Sequence, residues 1–193
     1  MATPRLKRGR VYRTEDFSRF DKNPTRLASK LVREGKLRRL RKGLYHAPRR
    51  STFGEVPPSE DELLTAYFRG RPYLRTGPSA WNTLGLGSTA VEVVPLVYNT
   101  TRTGEVELGG RRFEFRRVRF PRKPDLEYFV VDLLENTRRA GVGLETVHRA
   151  LTSALAAGRF DSKRLLDRAN EYGTLATQEL VREAVPEEGP ARV

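Results

Sequence analysis

The stretch from Asn23 to Pro48, NPTRLASKLVREGKLRRLRKGLYHAP, constrains this chain more than any other. Asn23 is a favoured helix cap, and Pro24 suits the first helical position because its missing N–H has no partner there anyway. Leu27, Ala28, Leu31 and Val32 then fall on one side of a 3.6-residue wheel, with Arg26, Ser29, Lys30 and Arg33 on the other. Gly35 supplies the left-handed residue that stops the helix. Next comes a predicted hairpin: Leu37–Leu40, a turn at Arg41-Lys42-Gly43, and Leu44–Ala47. A helix with a basic outer face, followed directly by a basic two-stranded ribbon, predicts a recognition helix and its wing.

The residues before it fit that order. Val11 and Tyr12 predict a short strand. Thr14 is a plausible cap for a short helix whose first turn holds Glu15 and Asp16, with Phe17 and Phe20 facing inward. Asp21-Lys22 makes the turn, so the order is that of a winged helix-turn-helix. Its candidate DNA contacts are Asn23, Thr25, Arg26, Ser29, Lys30 and Arg33 on the helix, with Arg38, Arg39, Arg41 and Lys42 on the ribbon. Arg26, Lys30 and Arg33 are expected in the major groove, and Arg39, Arg41 and Lys42 at the backbone or minor groove. The basic run from Met1 to Arg10 is either a solvated terminus or an arm that tracks phosphates.

Charge separates the chain into two parts. Residues 1–50 hold 17 Lys and Arg against 4 Asp and Glu, a net of +13, which is the net charge of the whole protein. Residues 51–193 hold 20 of each. Such a concentration is the electrostatic footprint of a nucleic-acid module. With no cysteine and two histidines, disulfides, thiol chemistry and a zinc site fall away, and no cofactor is expected. There is no long apolar run, signal-peptide core or lipidation motif, so a cytoplasmic protein without membrane attachment is expected.

Beyond residue 50 the chain predicts a linker over 51–58 and then a second domain over 59–185. Ser59 and Glu62 form a capping box for a helix reaching about Arg69. Tyr73–Thr76 is strand-like, and Gly77-Pro78 leads into a short helix with Trp81 in the core. Val91–Asn99 is a β-branched run broken by Pro95, which suggests an edge or a bulge. Thr103–Leu108 and Arg111–Phe120 are strands joined by Gly109-Gly110, a favoured hairpin turn. A phase change near Arg116-Arg117 predicts a bulge. Helical periods follow: the stripe Leu126, Phe129, Val130, Leu133, Leu134, then Leu144, Val147, Leu151, Leu155, and two shorter helices near 161–171 and 174–185. The last residues, 186–193, are expected to be a disordered tail. The predicted fold class is α+β: an N-terminal winged helix-turn-helix, then a mixed domain with a small sheet and a C-terminal helical bundle.

No catalytic constellation is legible, and the chain is not expected to be an enzyme. His46 lies in the ribbon and His148 borders an apolar stripe, so neither is placed as a general base. A nuclease would need clustered carboxylates, and those present fall on solvated helix faces. Gly-Leu-Gly at 85–87 is too short for a dinucleotide fingerprint. A second candidate basic surface comprises Arg111, Arg112, Arg116, Arg117 and Arg119, with Arg122 and Lys123 beyond them. It is either a further DNA-facing strand or an exposed strand protected from edge pairing.

The chain resembles the AbiEi family of bacterial antitoxins. The resemblance is carried by Gly9-Arg10-Val11-Tyr12, by Leu31 through Leu40 and by Gly43-Leu44-Tyr45. It continues through Gly54-Glu55-Val56-Pro57-Pro58, Gly77-Pro78-Ser79-Ala80, Leu84-Gly85-Leu86 and Gly109-Gly110-Arg111. It implies a transcriptional autoregulator that binds inverted repeats in its own promoter, as a monomer or dimer on DNA. It also implies an antitoxin that counteracts a nucleotidyltransferase-like toxin, by contact or without it. The alternative is a winged-helix repressor with no toxin, its second domain serving dimerisation or ligand sensing.

Overall fold

The computed structural model describes residues 4–186 and is a mixed α+β protein. The first three residues, and the predicted tail from 187 on, lie outside the described residues. In chain order the first elements are β1 (Val11–Arg13), α1 (Pro24–Arg33), β2 (Arg38–Arg41), β3 (Leu44–His46), β4 (Arg49–Ser51) and β5 (Gly54–Val56). Then come α2 (Glu60–Phe68), β6 (Tyr73–Thr76), α3 (Pro78–Trp81), β7 (Leu96–Asn99), β8 (Gly104–Leu108) and β9 (Arg111–Arg117). The helical part comprises α4 (Leu126–Glu135), α5 (Thr137–Ala140), α6 (Leu144–Ala156), α7 (Ser162–Tyr172) and α8 (Leu175–Ala184).

These elements make two compact units, and the division does not fall at the predicted linker. Among the described residues, the first unit runs to Tyr73 and also takes Arg102–Phe115; the second takes Leu74–Thr101 and those from Arg116 on. Helix α2 and the β8–β9 hairpin therefore belong with the basic segment, rather than with a separate domain starting at residue 59. The linker itself is a correction. Residues 49–56 form an antiparallel hairpin, β4–β5, with Arg49 opposite Val56 and Ser51 opposite Gly54.

In the first unit, β3 is the middle strand of the order β1-β3-β2. The core under it holds Tyr12, Phe17, Ala28, Leu31, Leu37, Tyr45 and Ala47. Helix α1 starts and stops as its sequence predicts. The Asn23 side chain accepts from the Arg26 N–H at 3.0 Å. At the other end the Gly35 N–H donates to Val32 O and the Lys36 N–H to Leu31 O, a Schellman closure with Gly35 at φ +69°. The helix predicted before it is shorter. Thr14–Phe17 is a single 3-10 turn preceded by Arg13, whose N–H donates to Asp16 at 2.8 Å. Phe17 is buried whereas Phe20 is half-buried, so one apolar anchor stands where a helix needs a stripe.

A second cluster in this unit is aromatic. Gly109 and Gly110, at φ +59° and +81°, make the tight turn between β8 and β9, a conformation that favours glycine at both positions. The resulting register places Phe113 and Phe115 on one buried face. Phe115 lies 4.9 Å from Phe68 and 5.3 Å from Tyr67 of α2, between ring centroids. Strand β9 ends at Arg117, where the change of phase predicts a bulge.

The second unit is mainly helical. Of the β-branched run 91–99 only Leu96–Asn99 is a strand; Val91 and Val93 are each 83% exposed. The part N-terminal to Pro95 is left in a loop. Helix α4 packs against α7 and α3 and is covered on more sides than a single stripe predicts. Val130, Leu133 and Leu134 are buried as expected, but so are Glu127, Tyr128, Val131 and Asp132, while Leu126 is 56% exposed. The core around it holds Trp81, Leu84, Leu96, Val147, Leu151 and Leu165. Among the described residues no helix is long and apolar enough to cross a membrane.

Asp132 is the polar centre of this core. It is 4% exposed and accepts from Trp81 Nε1 at 2.8 Å, from Tyr98 Oη at 2.7 Å and from the Thr76 hydroxyl. Asn136 Nδ2 donates in turn to Tyr98 Oη at 3.0 Å. Burial raises the Asp132 carboxyl above its ordinary range, although these donors favour the anion. Tyr98 is raised by burial and by the facing carboxylate.

Candidate nucleic-acid interface

The amphipathic reading of α1 has a direct structural counterpart. Ala28 and Leu31 are buried, with Leu27 and Val32 half-buried, so the wheel has one inward side. Thr25, Arg26, Ser29, Lys30 and Arg33 are all exposed on the remainder. Asn23 is exposed too, but its Oδ1 is engaged in capping the helix, which leaves its amide as the free donor end. The cations are not all equally available. Glu34 lies 3.8 Å from Lys30 and 2.8 Å from Lys36, and the Lys36 hydrogen bond holds the Glu34 carboxyl below its ordinary value.

The ribbon carries the remaining predicted contacts. Arg38 pairs with His46 and Arg39 with Tyr45, after which the register slips so that Arg41 faces Leu44. Arg41 therefore belongs to the strand, and the turn is Lys42-Gly43 alone, with Gly43 at φ +79°. Arg38, Arg39, Arg41 and Lys42 are exposed. Two of them have protein partners: Arg38 lies 3.3 Å from Glu55, and the Arg41 guanidinium stands 5.8 Å from the centroid of the Tyr67 ring. His46, behind the ribbon, is buried with Nε2 unpartnered, and burial pushes it below its ordinary value.

The described part of the N-terminal arm is held by its main-chain donors. From Pro4 on it is laid against the unit rather than extended. Gly9 N–H donates to Ala47 O at 2.7 Å, and the Lys7 N–H to Tyr12 Oη at 2.7 Å. Arg5, Lys7, Arg8 and Arg10 remain exposed, so its charge adds to that of the ordered surface.

The second basic cluster is not brought together as one surface within a unit. Arg111 and Arg112 lie in the first unit, Arg116, Arg117 and Arg119 in the second. Arg111 lies 3.6 Å from Glu60, and Arg112 sits opposite Glu107 in the β8–β9 ladder. Arg116 donates to Asn136 Oδ1 at 2.9 Å.

One element escapes the sequence reading. The β4–β5 hairpin exposes Arg49 and Arg50 on one arm and Phe53 at its tip, the latter 101% exposed. The only signal for it is local, a Ser-Thr-Phe-Gly turn between two three-residue arms too short to show alternation. A groove of about 500 Å³ is bordered by Leu6, Arg8, Gly35, Lys36, Arg50 and Glu55, so the base of this hairpin adjoins the C-terminal turn of α1.

No family model matches the chain, and no curated protein matches it. Among solved structures it is similar to the crystal structure of RV2827C protein from Mycobacterium tuberculosis. The two share 16% identity with a TM-score of 0.48, over 93% of this chain and 78% of that one. Among the described residues no group of three or more His, Cys, Asp or Glu is placed to hold a metal ion.

Proposed function

We propose that this protein is a DNA-binding transcriptional regulator whose first 50 residues act as a winged helix. In this reading α1 enters the major groove of duplex DNA and the β2–β3 ribbon is the wing. The observation that carries it is the two-sided character of α1. Its apolar side is buried, while Arg26, Ser29, Lys30 and Arg33 face solvent within a segment of net charge +13. Such a helix presents cations for phosphates and a hydroxyl and guanidinium for base edges. Because the described arm is folded back against this unit, its charges reinforce an ordered surface rather than a trailing tail.

The antitoxin reading rests on the resemblance to AbiEi antitoxins. On it, the protein represses its own promoter at inverted repeats and counteracts a nucleotidyltransferase-like toxin in the cytoplasm.

Titration of a duplex covering the DNA immediately upstream of the coding sequence tests the first claim. Affinity should fall with added salt, each phosphate contact contributing about −0.9 to the log–log slope. Replacing Arg26, Lys30 and Arg33 together by Ala should abolish binding. A slope near zero in the unmodified protein would end the DNA-binding reading. Co-expression of the same full-length triple variant with the neighbouring toxin tests the second claim. Rescue of growth without repression separates the two activities, and failure of the unmodified protein to rescue leaves a repressor without a toxin.

A further inference from the structure

We propose that the β4–β5 hairpin is a minor-groove wedge, with Phe53 inserting between base pairs of the duplex that α1 reads and Arg49 and Arg50 holding the flanking phosphates. The inference rests on the DNA-binding reading and adds to it a deformation of the DNA and a residue that causes it.

Three observations support the wedge. The first is the exposure of the ring. Phe53 is fully in water at 101% exposure, and it is the only phenylalanine among the exposed large hydrophobics of the described residues. Leaving a phenylalanine side chain there forgoes the free energy of burying its apolar ring, which a stacked environment would restore. The second is that the tip is ordered by its own hydrogen bonds. Ser51 Oγ donates to Gly54 O at 3.1 Å and accepts from the Phe53 N–H at 3.3 Å. The loop between the paired Ser51 and Gly54 is thus Thr52-Phe53, closed on itself, with the ring outside it.

The third is charge and tethering. Arg49 and Arg50 are exposed on the arm leading to the tip, whereas the hairpin's Glu55 is paired with Arg38 of β2 at 3.3 Å. That pair ties the hairpin to the β2–β3 ribbon, and the groove shared by Gly35, Lys36, Arg50 and Glu55 sets its base beside the end of α1. An apolar wedge flanked by arginines is the combination that unstacks a base step and bends DNA toward the major groove, by roughly 20–90°. Pyrimidine–purine steps, which unstack most easily, are the expected sites. A protein partner would also bury a phenylalanine, but it would not by itself call for the adjoining arginines.

The test uses the full-length protein and the upstream duplex, labelled at its ends for energy transfer and carrying 2-aminopurine at a TA step. Unmodified protein should bring the ends together and raise 2-aminopurine fluorescence. Phe53→Ala should bind about tenfold more weakly and lose both signals, while Phe53→Trp should keep them. Arg49→Ala with Arg50→Ala should reduce the salt slope by about two contacts' worth. Phe53→Ala removes a ring that is fully exposed and buries nothing in the protein, so its melting temperature should match the parent and its loss of signal cannot be misfolding. Tight binding with neither signal in the unmodified protein, or equal signals in Phe53→Ala, overturns the wedge and leaves DNA binding standing. Loss of self-association or of toxin capture in Phe53→Ala, with the DNA signals unchanged, overturns it in favour of a protein contact. No binding by the unmodified protein overturns the DNA-binding reading instead.

Discussion

The guanidinium of Arg13 donates to the main-chain carbonyl of Ala66 at 2.9 Å, joining residues 53 positions apart in sequence. The same nitrogen reaches Tyr67 O at 3.2 Å, so a side chain of β1 closes the last turn of α2. Cations are favoured at that end of a helix, where carbonyls lack partners. The N-terminal segment is thereby built into one unit with α2 and does not end at residue 50.

Arg13→Ala should therefore destabilise the first unit by about 1.5–3 kcal/mol, the range for hydrogen bonds to a charged group. Chemical denaturation followed by far-UV circular dichroism measures it. A loss below 0.5 kcal/mol on that same scale would show that the contact is incidental. A fragment ending at residue 50 should lack the cooperative transition of the full protein, because it omits Leu63, Leu64, Phe68 and the Phe113–Phe115 face.

Base reading should be separable from phosphate binding. Arg26→Ala and Ser29→Ala should narrow the gap between operator and scrambled duplex, each by roughly 1–3 kcal/mol. Lys42→Ala, at the ribbon turn, should weaken both duplexes equally. Arg41→Ala should also cost thermal stability, since its guanidinium stands over Tyr67. Competition binding decides, and a change of base preference in Lys42→Ala with none in Arg26→Ala would reverse the assignment.

Asp132→Ala should be among the most damaging single changes in the second unit. It strands the Trp81 indole N–H and the Tyr98 hydroxyl and leaves a cavity, for a loss of about 2–5 kcal/mol. The pH dependence has a definite sign. Burial raises this carboxyl in the folded state, so the folded protein holds the proton to higher pH than the unfolded chain. Stability should fall as pH rises from the unfolded value near 4, and level off above the folded value. Asp132→Asn should remove that decline. An unchanged pH profile in Asp132→Asn would mean that the carboxyl titrates alike in both states.

Asp125 should act in the opposite direction. Burial pushes it up, but the hydrogen bonds from Arg168 and from the Tyr128 N–H outweigh this and hold it below its ordinary value. Arg168 binds it twice over, at 2.7 Å and 3.0 Å to Oδ2. The stability from this pair is present above the unfolded carboxylate value and is lost as pH falls through the folded one. Arg168→Ala should flatten the acid limb of the stability curve below about pH 4. Parallel acid limbs in variant and parent would contradict the assignment.

Local chemistry was the legible part of this chain. Asn23-Pro24 and Gly35 bound α1, Ser59 and Glu62 open α2, and Gly109-Gly110 turns β8 into β9, each through bonds between near neighbours. The same holds for the exposed set on α1, because a helical wheel is a local property. What was not legible depends on distant partners. Arg49–Val56 has two three-residue arms, exposed except for the half-buried Val56, and shows no period. Val91 and Val93 have strand-forming side chains but lie outside any strand. Asp132 interrupts an apolar helix, and its burial makes sense only once Thr76, Trp81 and Tyr98 arrive from elsewhere. Phe53 could be seen in the sequence, but its exposure could not.

The interleaving of the two units bears on how the protein is made. The first unit lacks its Phe113–Phe115 face until the ribosome has passed residue 115, although most of its chain is complete by residue 73. At 5–20 residues per second that interval lasts roughly 2–8 s. Helix α2 therefore leaves the ribosome about that long before β9 does, with Phe68 lacking its eventual neighbour Phe115, an interval in which a chaperone would find an apolar surface on the nascent chain.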